Sequence, residues 1–359
     1  MKHSRFRAAT CLLVAATVVS GCGPEVPGDD LPEQMGNATP APSPASADPA
    51  GSVLPFDAIE DLDTTDGVIA VRTATQLHVG TVDQLREGTA HAHDLADTCG
   101  DVSASSGAFA LGCGDTIMLV RADDPARTET LQVEEPVTAA TVTTGGDVLA
   151  GSDSERKVWL YRDGELADTF SVARETDQLQ AVPVDGQADS VVRVNRFDTT
   201  IQDIDWGAGR QGGTLRVGRG VGKVAGGSEG LVLAADATGS QLLVYTTDDI
   251  IRLHQMAPVP EGPWDVTWDE SAQLAWITST ATNTATGYDI SRGVPLKRGE
   301  LATVADAQSI VALDDATLLI ASATGEGLQI VAPADRELDE LPPATASATQ
   351  SPQETPGDA

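Results

Sequence analysis

Between residues 53 and 341 the chain repeats one order of short β-rich runs about every forty residues, and this repeat restricts the fold more than any other feature of it. Each copy has a short mixed run, a turn carrying Asp or Gly, a strongly apolar run, a polar loop, an alternating run and a weaker fourth run. The clearest copy reads Pro263-Trp264-Asp265-Val266-Thr267-Trp268, then the turn Asp269-Glu270-Ser271, then Leu274–Ile277 and Thr286–Ile290. Aligned on Val266, the other copies place Ile59, Val102, Ala139, Leu179, Val224 and Ile310 at the same point, at intervals of 43, 37, 40, 45, 42 and 44 residues. The apolar second runs then fall at Val68–Val71, Ala108–Leu111, Val148–Ala150, Val191–Val194, Leu231–Ala234, Leu274–Ile277 and Leu318–Ile320. A period of this length with four strands is that of a propeller blade. One twisted four-stranded sheet cannot bury both faces alone, and radial packing around an axis lets each blade cover its neighbours. Nearly continuous apolar second runs fit strands covered on both faces. The expected fold is all-β, a seven-bladed β-propeller of four-stranded antiparallel blades. Six or eight blades, or a pair of β-sandwiches, are the competing arrangements.

The chain ends have a different character. Met1 to Arg7 carries three fixed positive charges, Ala8 to Val19 carries none, and Val19-Ser20-Gly21-Cys22 follows. A basic segment, a short apolar segment and small residues before a cleavage point make an export signal. The apolar run is too short for a bilayer span, which needs about 20 residues. The small-small-Cys ending resembles the lipobox of bacterial prolipoproteins. That resemblance implies cleavage before Cys22 and a diacylglyceryl group on its thiol, and two acyl chains anchor a protein stably. Residues 1–21 are therefore expected to be a signal peptide. Residues 22–52, rich in Pro, Ala, Ser and Asp, should be a lipidated Cys followed by a disordered stalk. The propeller should occupy 53–341, with a disordered tail over 342–359. The expected localisation is the extracytoplasmic side of a cell membrane, through the lipid.

Lys and Arg number 22 against 54 Asp and Glu, a formal charge of −32. Such a balance excludes nucleic acid as a partner, because phosphate binding needs a basic face. Of the four Cys, Cys11 leaves with the signal and Cys22 takes the lipid, so Cys99 and Cys113 remain. Ser105-Ser106-Gly107 at their midpoint is turn-like. In a hairpin turning there the two Cys lie opposite one another, within disulfide reach, and a disulfide is expected.

The copy around Val266 is similar to the blades of YncE-like and lactonase-like seven-bladed propellers, with Asp265 where those carry Gly. With the lipobox and the stalk, the whole resembles actinobacterial lipoproteins of the LppL type. That resemblance brings no activity with it.

In propellers ligands commonly bind where the innermost strands begin, beside the central channel. The residues at and just before the aligned starts therefore form a candidate ligand-binding funnel: Asp57, Asp101, Asp177, Gln178, Lys223, Trp264, Asp265, Gln308 and Ser309. A water-filled channel mouth is the plain alternative. The loops 152–157 and 195–198, long and mixed in charge, should reach the same face and could engage a protein or peptide. His91 and His93 share a strand face but lack a third ligand partner, so no metal site is assigned. The Gly-rich pieces lack the strand–loop–helix setting that a phosphate loop needs, and no catalytic residue can be singled out. The reading is a membrane-anchored binding or scaffold module for an unknown protein or small molecule, with no cofactor. The alternative is a lactonase-like or other propeller hydrolase using funnel acids and a divalent cation. A quinone-dependent dehydrogenase ranks last, since its Trp-rich blade signature is missing.

Overall fold

The computed structural model describes residues 35–341, so the expected signal peptide, Cys22 and the tail 342–359 lie outside the described residues. Every apolar second run forms a strand, and the sheets follow one another in sequence order. Blade 1 comprises Ile59–Thr65, Val68–Thr73, Gln76–Gly80 and His91–Asp94. Blade 2 comprises Ser103–Ser105, Ala108–Arg121 and Asp124–Val137. Its middle stretch doubles back at Gly114, and the Ala122 N–H meets the Gly107 carbonyl at 2.9 Å, which makes four strands of three segments. The inner strands of blades 3 to 6 are Ala139–Val142, Gln178–Val182, Val221–Gly226 and Pro263–Asp269. Blade 7 takes Ala307–Ala312, Leu318–Ser322 and Leu328–Val331 from the end of the chain. Its outermost strand is Ser52–Leu54, paired antiparallel with Leu328–Ile330. The chain ends thus share a blade, and the ring is closed by pairing between its first and last strands.

The core confirms the ring. Among the described residues the buried apolar side chains fall into seven clusters, and each joins two adjacent blades. One unites Val182, Val192, Val194 and Ile201 of blade 4 with Val232, Leu243 and Tyr245 of blade 5. Another joins Ile59, Ile69 and Val71 of blade 1 to Leu319, Leu328 and Ile330 of blade 7. The remaining five lie between blades 1 and 2, 2 and 3, 3 and 4, 5 and 6, and 6 and 7. No blade owns a core of its own, so the driving force for folding is burial between sheets, at about 25 cal/mol per Å².

Cys99 and Cys113 form the expected disulfide. The hairpin that sets it turns at Ser106 and Gly107, both with positive φ (51° and 72°), as a tight turn between twisted strands requires. Its ladder pairs Ser103 with Ala110, and the Cys pair lies one residue out of that register.

Three features depart from the sequence reading. The inner strand of blade 1 is displaced. Val266 pairs with Ile277, Val224 with Ala234 and Ile310 with Ile320, but the residue opposite Val71 is Leu62, not Ile59. In blades 1, 5, 6 and 7 the ladder is interrupted just before this point, so the true counterpart of Ile59 is Pro263. Next, a helix occupies Val82–Glu87 between the third and fourth strands of blade 1, closed by a Thr81–Gln84 capping box and by Gly88.

The third departure is in the expected stalk. Residues 35–51 are not a free chain but a strap across the face where the inner strands begin. The N–H groups of Gly36 and Asn37 donate to the carbonyls of Arg219 and Arg196, both at 2.8 Å. The Ser43 hydroxyl donates to the Thr280 carbonyl at 2.7 Å and accepts from the Asp306 N–H at 2.8 Å. Asn283 reaches the Pro44 carbonyl at 2.8 Å, Ser46 the Thr303 carbonyl at 2.7 Å, and Gln329 the Ala50 carbonyl at 2.8 Å. The composition argument missed the strap because it is held by hydrogen bonds to turns and not by apolar burial.

At the opposite end, the Arg336 side chain is buried between blades 6 and 7. It pairs with Asp269 at 2.9 Å and lies 5.5 Å from the centre of the Trp276 ring. No helix among the described residues is long and apolar enough to cross a membrane.

Candidate functional site

An innermost strand has one edge with no strand beside it, and its inward N–H groups must find other acceptors. Side chains of the neighbouring blade supply them. Asp61 accepts from the Val102 N–H at 2.8 Å, and Asp63 from the Ala104 N–H at 2.6 Å, stitching blade 1 to blade 2. Thr141 of blade 3 receives the Ser103 hydroxyl at 3.1 Å and the Ala181 N–H at 3.2 Å. Gln178 of blade 4 takes the Val224 N–H at 3.2 Å and gives its amide N–H to the Val224 carbonyl at 2.8 Å. Asp265 of blade 6 accepts from Ile310 of blade 7 at 2.9 Å and from Val266 at 2.7 Å.

One side chain spans the axis. Lys223 of blade 5 forms an ion pair with Asp61 of blade 1, 162 residues away, and donates to the Ser309 hydroxyl of blade 7 at 3.0 Å. All three residues are buried. Next to Lys223, Gly222 lets the inner strands of blades 5 and 6 approach closely: a Cβ there would sit 2.4 Å from the Trp264 carbonyl oxygen. Burial by itself would lower the Lys223 ammonium, but the carboxylates of Asp61, Asp265 and Asp101 outweigh it and hold it above its ordinary value. Burial pushes Asp61 up, against the pull of Lys223.

Beyond this layer lies a cavity of about 170 Å³. Its wall includes Asp61, Asp63, Asp101, Gln178, Gln180, Lys223, Asp265 and Thr267, and it reaches as far as Trp268 near the other end of the inner strands. Burial raises Asp63 to about 8 and Asp265 to about 7, against the opposing pull of backbone N–H groups on both and of Lys223 on Asp265. The wall therefore holds more carboxylates than cations, and two of them carry protons near neutrality.

Of the funnel residues named from sequence, Asp101, Gln178, Lys223 and Asp265 line this cavity and Ser309 touches it through Lys223. The other four do not meet there. Asp57 is exposed beside Phe56 and His78, in a side groove between blades 7 and 1. Asp177 accepts the Arg196 N–H at 2.6 Å. Trp264 is buried, and Gln308 is half-buried outside the cavity wall. Asp61, Asp63, Gln180 and Thr267 were missed. Shifting the first copy by three residues would have put Asp61 in line with Asp265, Lys223 and Ser309.

The two mixed-charge loops do share a face. Arg156 pairs with Glu175 at 2.8 Å, Arg174 pairs with Asp198, and Arg196 reaches Asp101 at the channel mouth, 3.6 Å away. Phe197 at their tip is 66% exposed. His93 lies 2.8 Å from the Pro125 carbonyl, and His91 is exposed. No group of three or more His, Cys, Asp or Glu among the described residues is arranged to hold a metal ion.

These features define a seven-bladed β-propeller with a polar, lysine-plugged channel. Solved structures share the fold. A chain of the mitotic checkpoint complex matches with a TM-score of 0.63 at 14% identity, over 89% of this chain and 98% of its own. Virginiamycin B lyase from Staphylococcus aureus matches at 0.58 and 11%, over 76% of this chain and 94% of its own. A streptogramin B lyase matches at 0.60 and 11%, over 81% of this chain and 97% of its own. At such identities the likeness is one of fold alone. No family model matches the sequence, and no curated protein does.

Proposed function

We propose that this protein is a lipid-anchored module of the cell envelope, held on the extracytoplasmic side by Cys22, whose propeller binds a ligand and catalyses no reaction. The observation that carries the non-catalytic part is the commitment of the channel acids. Asp61, Asp63 and Asp265 each accept a backbone N–H from a neighbouring blade, so they hold the ring together and are not free to converge on a reacting atom. The Cys99–Cys113 disulfide supports an oxidising compartment. The sequence Val19-Ser20-Gly21-Cys22 supports the lipid anchor. A lactonase-like hydrolase would instead use the same acids around a divalent cation.

Two measurements test this reading. Expressed in a bacterial host, the full chain should incorporate labelled palmitate and sediment with membranes, and Cys22→Ser should do neither. Thermal melts with Mg²⁺, Ca²⁺, Mn²⁺ and Zn²⁺ should superimpose on the melt without metal. A stabilisation by one of these ions that Asp265→Asn removes would replace the binding module with the metal-dependent hydrolase.

A further inference from the structure

The strap sets how much chain separates the propeller from Cys22. It crosses the face where the inner strands begin, over blades 4 to 7, before Ser52–Leu54 joins the edge of blade 7. Two buried side chains are committed to it. Asn283, 7% exposed, holds the Pro44 carbonyl and meets the Ser43 hydroxyl, and Gln329, fully buried, holds the Ala50 carbonyl. Ala38 and Ala41 lie so close to Gly220 and Gly262 that a Cβ on those glycines would sit 3.0 Å and 2.7 Å from their methyl carbons. With the strap docked, the last held residues before Cys22 are Gly36 and Asn37. Met35 is thirteen residues on from Cys22, a reach of at most about 45 Å. From Ser52 with the strap undocked the reach would be about 105 Å. A compact body of about 290 residues is about 50 Å across. The docked strap therefore leaves too little chain to pass around the body, and the face it crosses stays toward whatever holds Cys22.

That face carries an apolar tip where the strap begins. Gly36 lies against the Phe197 carbonyl, with no room for a Cβ between them. Phe197 is 66% exposed, the most of any large apolar side chain among the described residues, and Met35, next in the chain to Gly36, is 51% exposed. The charges around them are paired: Arg174 with Asp198, Arg156 with Glu175 and Arg196 with Asp101. Ile250 and Val294 are exposed as well, at 52% and 47%, but they sit in the turns after the third strands of blades 5 and 6, at the other end of the propeller. Exposure alone therefore selects neither face, and the short tether selects the one with Phe197.

We propose that the face where the inner strands begin rests on the lipid bilayer, with Phe197 and Met35 entering its interface. This rests on the reading of Cys22 as the lipid anchor and adds which surface of the propeller meets the lipid. The contact is apolar. The chain's net charge of −32 gives it no attraction to anionic headgroups, and the arginines beside Phe197 are engaged by carboxylates. The channel end closed by Lys223 then faces the bilayer, and the end near Trp268 faces away from it.

The test uses the full chain, lipidated in a bacterial host and reconstituted into phosphatidylcholine vesicles. The vesicles carry a trace of the same lipid with a photoreactive diazirine in its acyl chains, and the adducts formed on illumination are mapped by peptide mass spectrometry. Adducts should concentrate on residues 35–37 and 195–198 and be severalfold scarcer on the turns that hold Ile250 and Val294. Phe197→Asp, at an exposed position, should cut the adducts on its own loop severalfold. It should leave sedimentation with the vesicles unchanged, because the acyl chains alone secure that. Equal adducts at the two ends of the propeller, adducts concentrated at Ile250 and Val294, or no loss in Phe197→Asp overturns the contact. If the chain sediments with the vesicles and the propeller gains no adducts, the anchor stands and only this contact fails. If the chain takes up no palmitate and stays in the supernatant, the anchor reading fails with it.

Discussion

Replacing Lys223 by Met should destabilise the propeller by an amount that depends on pH in a calculable way. Lys223 and Asp61 are 6% and 5% exposed, and the pair ties blade 5 to blade 1 across the axis. Removing one partner of a buried ion pair leaves an uncompensated charge and typically costs about 3–5 kcal/mol. Asp61 can escape that cost by taking up a proton, since burial already pushes its carboxyl up and only Lys223 opposes this strongly. At Asp61 the native variant then binds more proton than the native wild type does. Each pH unit between the two titrations changes the stability difference by about 1.4 kcal/mol. The loss should therefore be smaller at about pH 6 than at about pH 8, by at most about 1.4 kcal/mol for each pH unit and each proton. Asp265 adds to this slope, because it too loses the pull of Lys223. The double variant Asp61→Asn, Lys223→Met should be closer to wild type at pH 8 than Lys223→Met alone. Urea unfolding of the wild type, Asp61→Asn, Lys223→Met and the double variant at both pH values reads these quantities directly. A Lys223→Met loss that is the same at both pH values, or a double variant as unstable as the sum of the singles, would refute the reasoning.

Three further outcomes follow from other parts of the molecule. Reduction of Cys99–Cys113, or Cys99→Ser with Cys113→Ser, should cost about 3 kcal/mol, the usual value for a loop of this size, read as a lower melting temperature under reducing conditions. Ser43→Ala removes a hydroxyl that joins the strap to Thr280, Asn283 and Asp306; it should cost about 1–3 kcal/mol and speed proteolysis between residues 35 and 51 in limited digestion. Asp63 is raised to about 8 in the folded protein from an ordinary value near 4, so its contribution is full in acid and is lost as pH rises toward about 8. Chemical unfolding should show stability falling over that window, and Asp63→Asn should flatten the fall.

The repeat was legible because burial between blades constrains one kind of residue at one spacing. The second strands carry two covered faces, so Leu274–Ile277 and its six counterparts appear as apolar runs whatever the rest of the copy holds. The hairpin of Cys99 and Cys113 was legible for a similar local reason, since Ser106 and Gly107 sit midway between them. The innermost strands were harder to place. Their side chains meet other blades across the axis, and nothing in the neighbouring sequence of Ile59 indicates that Asp61 must reach a lysine in blade 5.

Sequence alone therefore determined the blade pattern, the disulfide, the acidic surface and the lipobox-like start, because each depends on composition or on residues near one another in the chain. Tertiary structure decided the closure of blade 7 by Ser52–Leu54, the docking of 35–51, and the axial grouping of Asp61, Asp63, Lys223, Asp265 and Thr267. Those depend on where seven separate segments arrive around one axis. Only the packed ring brings the carboxylates close enough, and far enough from water, to shift their protons.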